Sequence, residues 1–141
     1  MFPEDQHEIH MKLEEMKRAV RPDMVFVPSL RDTHQDHEVV SRYSTRTFRT
    51  GQTLLHYEIA RSLEVGFAPN LFVNVSGKAP GEKQGITYAD KKIEIIRTAF
   101  VSEGAKPFLS EERLRATMSM RGMYASPGVK YAEAFETRIG I

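Results

Sequence analysis

The sequence contains neither cysteine nor tryptophan among its 141 residues. Without cysteine, disulfides, thiolate nucleophiles and thiolate metal ligands are excluded. Any transition-metal site in this chain would therefore have to use histidine and carboxylate side chains. A chain without disulfides suits a reducing compartment, so we expect a cytoplasmic location.

The charge of the chain is close to balanced, and long apolar runs are missing. The formal net charge is +1, which favours neither nucleic acid nor an anionic membrane as a partner. No stretch is long and apolar enough to predict a membrane span. The acidic residues 1–5 lack the apolar segment of a signal peptide. The length suits one domain, so we expect residues 1–141 to form a single domain.

The spacing of apolar residues predicts alternating helices and strands. Apolar side chains three and four residues apart within 4–20 predict a helix, which should end just before Pro22. The apolar run 24–27 predicts a strand that is buried on both faces. The remaining predicted elements are a helix ending near Gly51, strands at 54–59 and 71–75, helices over about 82–100 and from Ser110 to Gly122, and a last strand within 131–139.

This order of elements predicts an α/β fold with a mostly parallel sheet, in three layers and Rossmann-like. The beginning of the order is unusual. A helix that leads into a parallel strand normally crosses over from an earlier strand, and no strand is predicted before the first helix. We therefore expect a fold that lacks one or more N-terminal strands.

The densest group of polar side chains is Asp32-Thr33-His34-Gln35-Asp36-His37, directly after the predicted strand 24–27. Open α/β sheets bind their ligands at this end of their strands. His34 and His37 would share one face of a helix, imidazole suits Zn²⁺, and a nearby carboxylate can fix the tautomer. Alternatively, the segment is a solvated loop whose histidines cap the next helix, and composition does not decide between the two. His56, within a predicted strand, is expected to be packed or to face a pore.

Three segments resemble motifs of the LmbE/PIG-L deacetylase family. Residues 21–28 followed by 32–37 resemble its second signature, a Pro-Asp strand, a short loop and a His-x-Asp-His group. Residues 130–135, Lys-Tyr-Ala-Glu-Ala-Phe, resemble its closing motif, and residues 90–92 lie where family members carry a lysine. The resemblance extends over nearly the whole chain. It implies an LmbE-like fold and the zinc-dependent removal of the acetyl group from an N-acetylglucosamine-type sugar or its conjugate.

The resemblance also implies a role for particular residues. His37 would be a metal ligand, and His34 would stabilise the tetrahedral intermediate or protonate the leaving amine. Asp36 would orient one of these two histidines. Lys92 and Glu133 would bind the acetylated amino sugar. The zinc ion would activate the water that attacks the acetyl carbon.

The first signature of this family is absent from the sequence. That signature resembles His-Pro-Asp-Asp-Glu and supplies two metal ligands and a general base, but the sequence contains neither a His-Pro nor an Asp-Asp pair. A catalytic zinc needs three protein ligands. We therefore expect either a hydrolase completed by a separate N-terminal half or a homo-oligomer, or a non-catalytic module that binds a saccharide or a protein. A truncated product with no function of its own is a third possibility.

Overall fold

The computed structural model describes residues 5–59, 66–82, 85–101 and 106–139. The helices are α1 (Gln6–Val20), α2 (Gln35–Thr47), α3 (Tyr88–Ala99) and α4 (Glu111–Ala125), and a short 3-10 turn spans Pro107–Leu109. The strands are β1 (Met24–Pro28), β2 (Thr53–Tyr57), β3 (Leu71–Asn74) and β4 (Ala132–Ile139). The predicted order of helices and strands is confirmed. None of the helices in the described ranges is long and apolar enough to cross a membrane.

The four strands form one sheet in the order β1-β2-β4-β3. Strands β1 and β2 are parallel, with Val25 opposite Leu54. Strands β2 and β4 are antiparallel, with Leu55 opposite Thr137. The α/β class is therefore confirmed.

Strand β3 also runs antiparallel to β4. The backbone N–H of Asn70 donates to the carbonyl of Phe135, and that of Val75 donates to the carbonyl of Tyr131. From the first of these hydrogen bonds to the second, the residue number rises along β3 and falls along β4, as in an antiparallel pair. The prediction of a mostly parallel sheet is wrong, because short apolar runs indicate burial of a strand but not its direction.

The chain divides into two compact units, residues 1–71 with 135–141 and residues 72–134. In the first unit, the side chains of Val27, Phe48 and Leu54 form a buried cluster that Leu13 and Val25 pack against. Burying an apolar side chain of this size contributes about 1.5–3 kcal/mol. This cluster holds α1 and α2 against one face of β1 and β2.

The second unit has its own apolar core. Its buried members are Val75, Ala89, Ile93, Leu114 and Met118. Helix α3 begins later than the predicted residue 82, because Thr87 caps it. The Thr87 hydroxyl accepts from the Asp90 N–H while the Asp90 carboxylate accepts from the Thr87 N–H, which is a capping box.

Strand β1 lies at one end of the strand order, and its outward face is open. Met24 is 50% exposed and Phe26 is 57% exposed, whereas Val27 on the opposite face is buried. The prediction that this strand is buried on both faces is therefore wrong. No described strand pairs with the outer edge of β1.

The ends of the helices follow local rules with one exception. Helix α1 ends before Pro22 as predicted, with Arg21 in the left-handed region (φ 49°) and its N–H donating to the Lys17 carbonyl. Ser110 caps α4 as predicted, since its side chain accepts from the Arg113 N–H. Gly122 does not end α4, which continues to Ala125.

Gly122 instead allows a close approach of two backbone segments. A Cβ atom at this position would lie 2.7 Å from the carbonyl oxygen of Val129 and 2.8 Å from that of Lys130. Real side chains do not tolerate such distances to backbone atoms. The glycine inside α4 is therefore required for packing rather than for termination of the helix.

Candidate functional site

The polar cluster lies where it was predicted, between the end of β1 at Pro28 and the first turn of α2. Asp32 is its buried member, with 4% of its surface exposed. Its Oδ1 atom accepts the backbone N–H of His34 at 2.9 Å. This bond to the residue two positions ahead fixes the turn into α2.

The second oxygen of Asp32 contacts the ring of His37. The Oδ2 and Nδ1 atoms are 3.0 Å apart, and the carboxylate is fully enclosed whereas the His37 side chain is 31% exposed. A carboxylate can only accept, so Nδ1 of His37 carries the proton in this contact. In the neutral ring, the lone pair is then on Nε2, as in a histidine oriented to bind a metal or to take up a proton.

His34 is the N-cap residue of α2. Its Nδ1 atom accepts the backbone N–H of Asp36 at 3.2 Å. His34 thus caps α2, which is one part of the alternative interpretation and does not by itself exclude a role in a site. The same bond places the proton of the neutral ring on Nε2, which makes that nitrogen a hydrogen-bond donor.

The two imidazole rings are stacked. Their centroids are 4.5 Å apart and their planes are inclined by 30°. The stacked pair therefore combines one ring with a donor nitrogen, that of His34, and one ring with an acceptor nitrogen, that of His37. Such a pair can stabilise negative charge on an oxygen with one ring and take up a proton or bind a metal with the other.

The side chain of Asp36 does not hydrogen-bond to the ring of His34. Its Oδ2 atom is 4.0 Å from Nδ1 of His34, which is longer than a hydrogen bond. Its Oδ1 atom is buried and has no hydrogen-bond partner among the described residues. The carboxylate that orients His37 is that of Asp32, which was not among the site residues predicted from the sequence. Its position two residues before the N-cap of a helix is the signal that could have identified it.

Lys92 and Glu133 are brought together in the second unit. Their Nζ and Oε1 atoms are 3.0 Å apart, and both side chains are about one-third exposed. The other predicted site residues, His34, Asp36 and His37, all belong to the first unit. The charges of Lys92 and Glu133 are satisfied by each other.

The described residues do not fit a complete zinc site. A metal would bind His37 at Nε2, with Asp32 as the outer carboxylate that orients the ring. A catalytic zinc requires three protein ligands. No group of three or more histidine, aspartate or glutamate side chains capable of holding a metal ion occurs within the described ranges.

An open apolar groove of about 610 Å³ runs beside the cluster. Asp36 and His37 line it together with Tyr57. The other residues that line it come from α1, α2 and β1 and include Leu13, Met16, Val20, Met24, Phe26, Val40 and Phe48. The polar cluster therefore borders an apolar surface that continues along β1.

His56 is packed, which confirms one of the two alternatives for it. It is 1% exposed, and its Nδ1 atom lies 3.1 Å from the carbonyl oxygen of Pro28. Its Nε2 atom is buried, and no residue in the described part of the chain hydrogen-bonds to it. Burial lowers the pKa of His56 below its ordinary value, and the positive charge of Arg138 adds to this effect. The bond to the Pro28 carbonyl and the charge of Glu136 act in the opposite direction, but burial outweighs them and favours the neutral ring.

Two solved structures are similar to this chain. The conserved protein TT1542 from Thermus thermophilus has a TM-score of 0.70 and 23% identity over 95% of this chain. GalB, the 4-carboxy-2-hydroxymuconate hydratase from Pseudomonas putida, has a TM-score of 0.68 and 15% identity over 94% of this chain. The chain shares its fold with both. It spans 59% of the length of each.

No protein-family model and no curated protein matches the sequence. At such low identity the structural likeness shows the fold alone. The chemistry has to be argued from the side chains of the site.

Proposed function

We propose that the chain supplies part of the site of a hydrolase that removes the acetyl group from an N-acetylglucosamine-type sugar or its conjugate. The observation that carries the proposal is the paired arrangement of His34 and His37. A buried carboxylate fixes one ring, a helix cap fixes the other, and the rings are stacked at 4.5 Å. The resemblance of this segment to an LmbE/PIG-L signature points to the same chemistry.

In this proposal, His34 acts on the acetyl group itself. Hydrolysis of an amide develops negative charge on the carbonyl oxygen, and the Nε2–H of His34 is available as a donor to that oxygen. The same nitrogen can later transfer a proton to the leaving amine. Asp36 borders the groove and is the second proposed catalytic side chain.

His37 is the proposed metal ligand, and zinc is the proposed metal. A bound zinc ion would supply an activated water, but the described residues do not complete its ligand set. The proposal therefore includes a partner, either a separate N-terminal polypeptide or a further copy of the chain, that provides the missing ligands. The proposed substrate-binding residues Lys92 and Glu133 would exchange their ion pair for contacts with sugar hydroxyls. The proposed location is the cytoplasm.

A non-catalytic module that binds a saccharide or a protein is the second candidate. The observation that favours it is the lack of a three-ligand group within the described ranges. In that case the fold and the apolar groove are retained, while the histidine pair serves to cap α2 and to fix the turn after β1.

An amine-release assay tests the proposal. The chain is combined with added zinc and with a separate polypeptide that carries a His-Pro-Asp-Asp segment, and free amine from N-acetylglucosamine conjugates is measured. We expect release by the combined proteins and none after His37→Ala. Arg42→Ala is the matched control, because Arg42 lies on the same helix and pairs with Glu38 on its exposed face.

Two outcomes would contradict the hydrolase. One is equal release by the native chain and by the His37→Ala variant. The other is saturable binding of N-acetylglucosamine, unchanged by His37→Ala and without any release of amine. The second outcome would support the binding module instead.

A further inference from the structure

A second cleft lies in the first unit, apart from the residues assigned to the hydrolase. Its volume is about 440 Å³, within the range that accommodates small molecules. The residues that line it are Leu30, Arg31, Ala68, Glu136, Thr137 and Arg138. We refer to it as the arginine cleft.

The two guanidinium groups of the arginine cleft have no described partner. No residue in the described ranges forms an ion pair with Arg31 or with Arg138. Other arginines of the chain are paired, for example Arg42 with Glu38 and Arg115 with Asp90. The two cleft arginines are thus available to an external anion.

The remaining polar groups of the cleft are bonded within the protein. The carboxylate of Glu136 accepts the backbone N–H of Ala68 at 2.8 Å. The hydroxyl of Thr137 donates to the side-chain oxygen of Asn70 at 2.9 Å. With two arginines and one glutamate, the ionic groups that line the cleft sum to one positive charge, which favours an anion over a cation.

The Arg31 side chain lies within ordinary van der Waals contact distance of Gly66. A Cβ atom at Gly66 would lie 3.5 Å from a guanidinium nitrogen of Arg31 and 3.6 Å from its Cδ atom. Gly66 has a positive φ of 122°, which strongly favours glycine. The Arg31 backbone is held, because its N–H donates to the Ser29 hydroxyl at 3.1 Å.

We propose that the arginine cleft binds an oxyanion group, a phosphate or a carboxylate, carried by a small molecule. A guanidinium presents its N–H donors in a planar fork that matches the oxygens of both groups. This inference goes beyond the proposed hydrolase and does not rest on it, since it uses neither His34 nor His37.

Calorimetric titrations with inorganic phosphate and with succinate, at constant ionic strength, test the proposal. We expect saturable binding at millimolar concentration, and the preferred probe tells whether the group is a phosphate or a carboxylate. Arg31→Gln and Arg138→Gln should each weaken binding about tenfold, the size of one lost charge-assisted bond. Arg42→Gln is the matched control and should bind like the native chain.

A variant that is expected to tighten binding, rather than weaken it, keeps the test independent of folding defects. Glu136→Gln removes the negative charge of the cleft but retains an oxygen that can accept the Ala68 N–H, so binding should tighten a few-fold. The proposal is overturned if neither probe binds, or if Arg31→Gln, Arg138→Gln and Glu136→Gln all bind like the native chain. His37→Ala should leave this binding unchanged whatever its effect on hydrolysis.

Discussion

Asp32 shows how one buried carboxylate can organise two histidines. One oxygen holds the backbone of His34 and the other holds the ring of His37. The sequence pattern indicated both histidines, and the family resemblance implied Asp36 as the orienting group. The position of Asp32 two residues before the N-cap could have identified it as the residue that holds the turn, whereas its contact with the His37 ring depends on the three-dimensional path of the segment after β1.

Replacing the two histidines should separate their roles. In the amine-release assay of the complemented enzyme, we expect His34→Ala to lower the rate by roughly 10²–10³, the usual effect of removing one oxyanion donor. His37→Ala should abolish both zinc retention and turnover. Rate measurements together with zinc analysis of each variant make the comparison. Loss of zinc in His34→Ala with full retention in His37→Ala would reverse the assignment.

The buried ring of His56 should make stability depend on pH. Its pKa is lowered in the folded chain, so the unfolded chain binds more protons once the pH falls below the ordinary value of about 6.5. Stability from this group is therefore complete above that pH and is lost as the pH falls below it. Urea unfolding at a series of pH values between neutral and mildly acidic measures the slope.

The variant His56→Gln separates this effect from other titrations. Glutamine can still donate to the Pro28 carbonyl but does not titrate, so the slope should become shallower. Equal slopes in the native chain and in His56→Gln would show that this ring does not control the acid sensitivity.

At the scale of helices and strands, the sequence allowed a better prediction of which elements form than of how the strands pair. The spacing of apolar residues is a local property, so the order from α1 to β4 and the Ser110 cap could be predicted. The direction of β4 and the ion pair of Lys92 with Glu133 depend on contacts between residues far apart in sequence. The start of α3 was missed although the Thr87–Asp90 spacing is a known capping signature.

Gly122→Ala should destabilise the second unit. Alanine normally favours a helix interior over glycine by about 1 kcal/mol. Here the new methyl group would overlap the carbonyls of Val129 and Lys130, and we expect a net loss of about 1–3 kcal/mol, as for other overpacked sites. Thermal or urea unfolding measures the change. Gly77→Ala is the control, because its Cβ would be 3.9 Å from the nearest atom, in the Tyr88 ring.

At the scale of the whole molecule, the metal content of the chain tests the incomplete ligand set. We expect the purified chain to lose added zinc on dialysis, because one histidine ligand does not hold the ion against water. Elemental analysis after dialysis gives the zinc-to-protein ratio. A stable equimolar ratio would contradict the incomplete site and would direct attention to His7 and His10 as ligands.

The open edge of β1 predicts self-association or capture of a partner strand. Its backbone groups, which no described strand pairs, lie beside the apolar side chains of Met24 and Phe26, and native proteins rarely leave such an edge uncovered. We expect light scattering to show no monomer at high micromolar concentration. Met24→Lys should shift the chain towards the monomer, whereas Met123→Lys, at an exposed position on α4, should not. A native monomer that melts cooperatively and binds no hydrophobic dye would contradict the prediction.

An uncovered β1 edge also makes the stability of the fold depend on protein concentration. If the groove beside β1 is covered only after association, the free energy of association adds to the free energy of unfolding. The melting temperature would then rise with protein concentration and with the concentration of the partner strand. Dilution would act as a mild denaturant, loosening β1 and with it the turn that holds Asp32 beneath the two histidines.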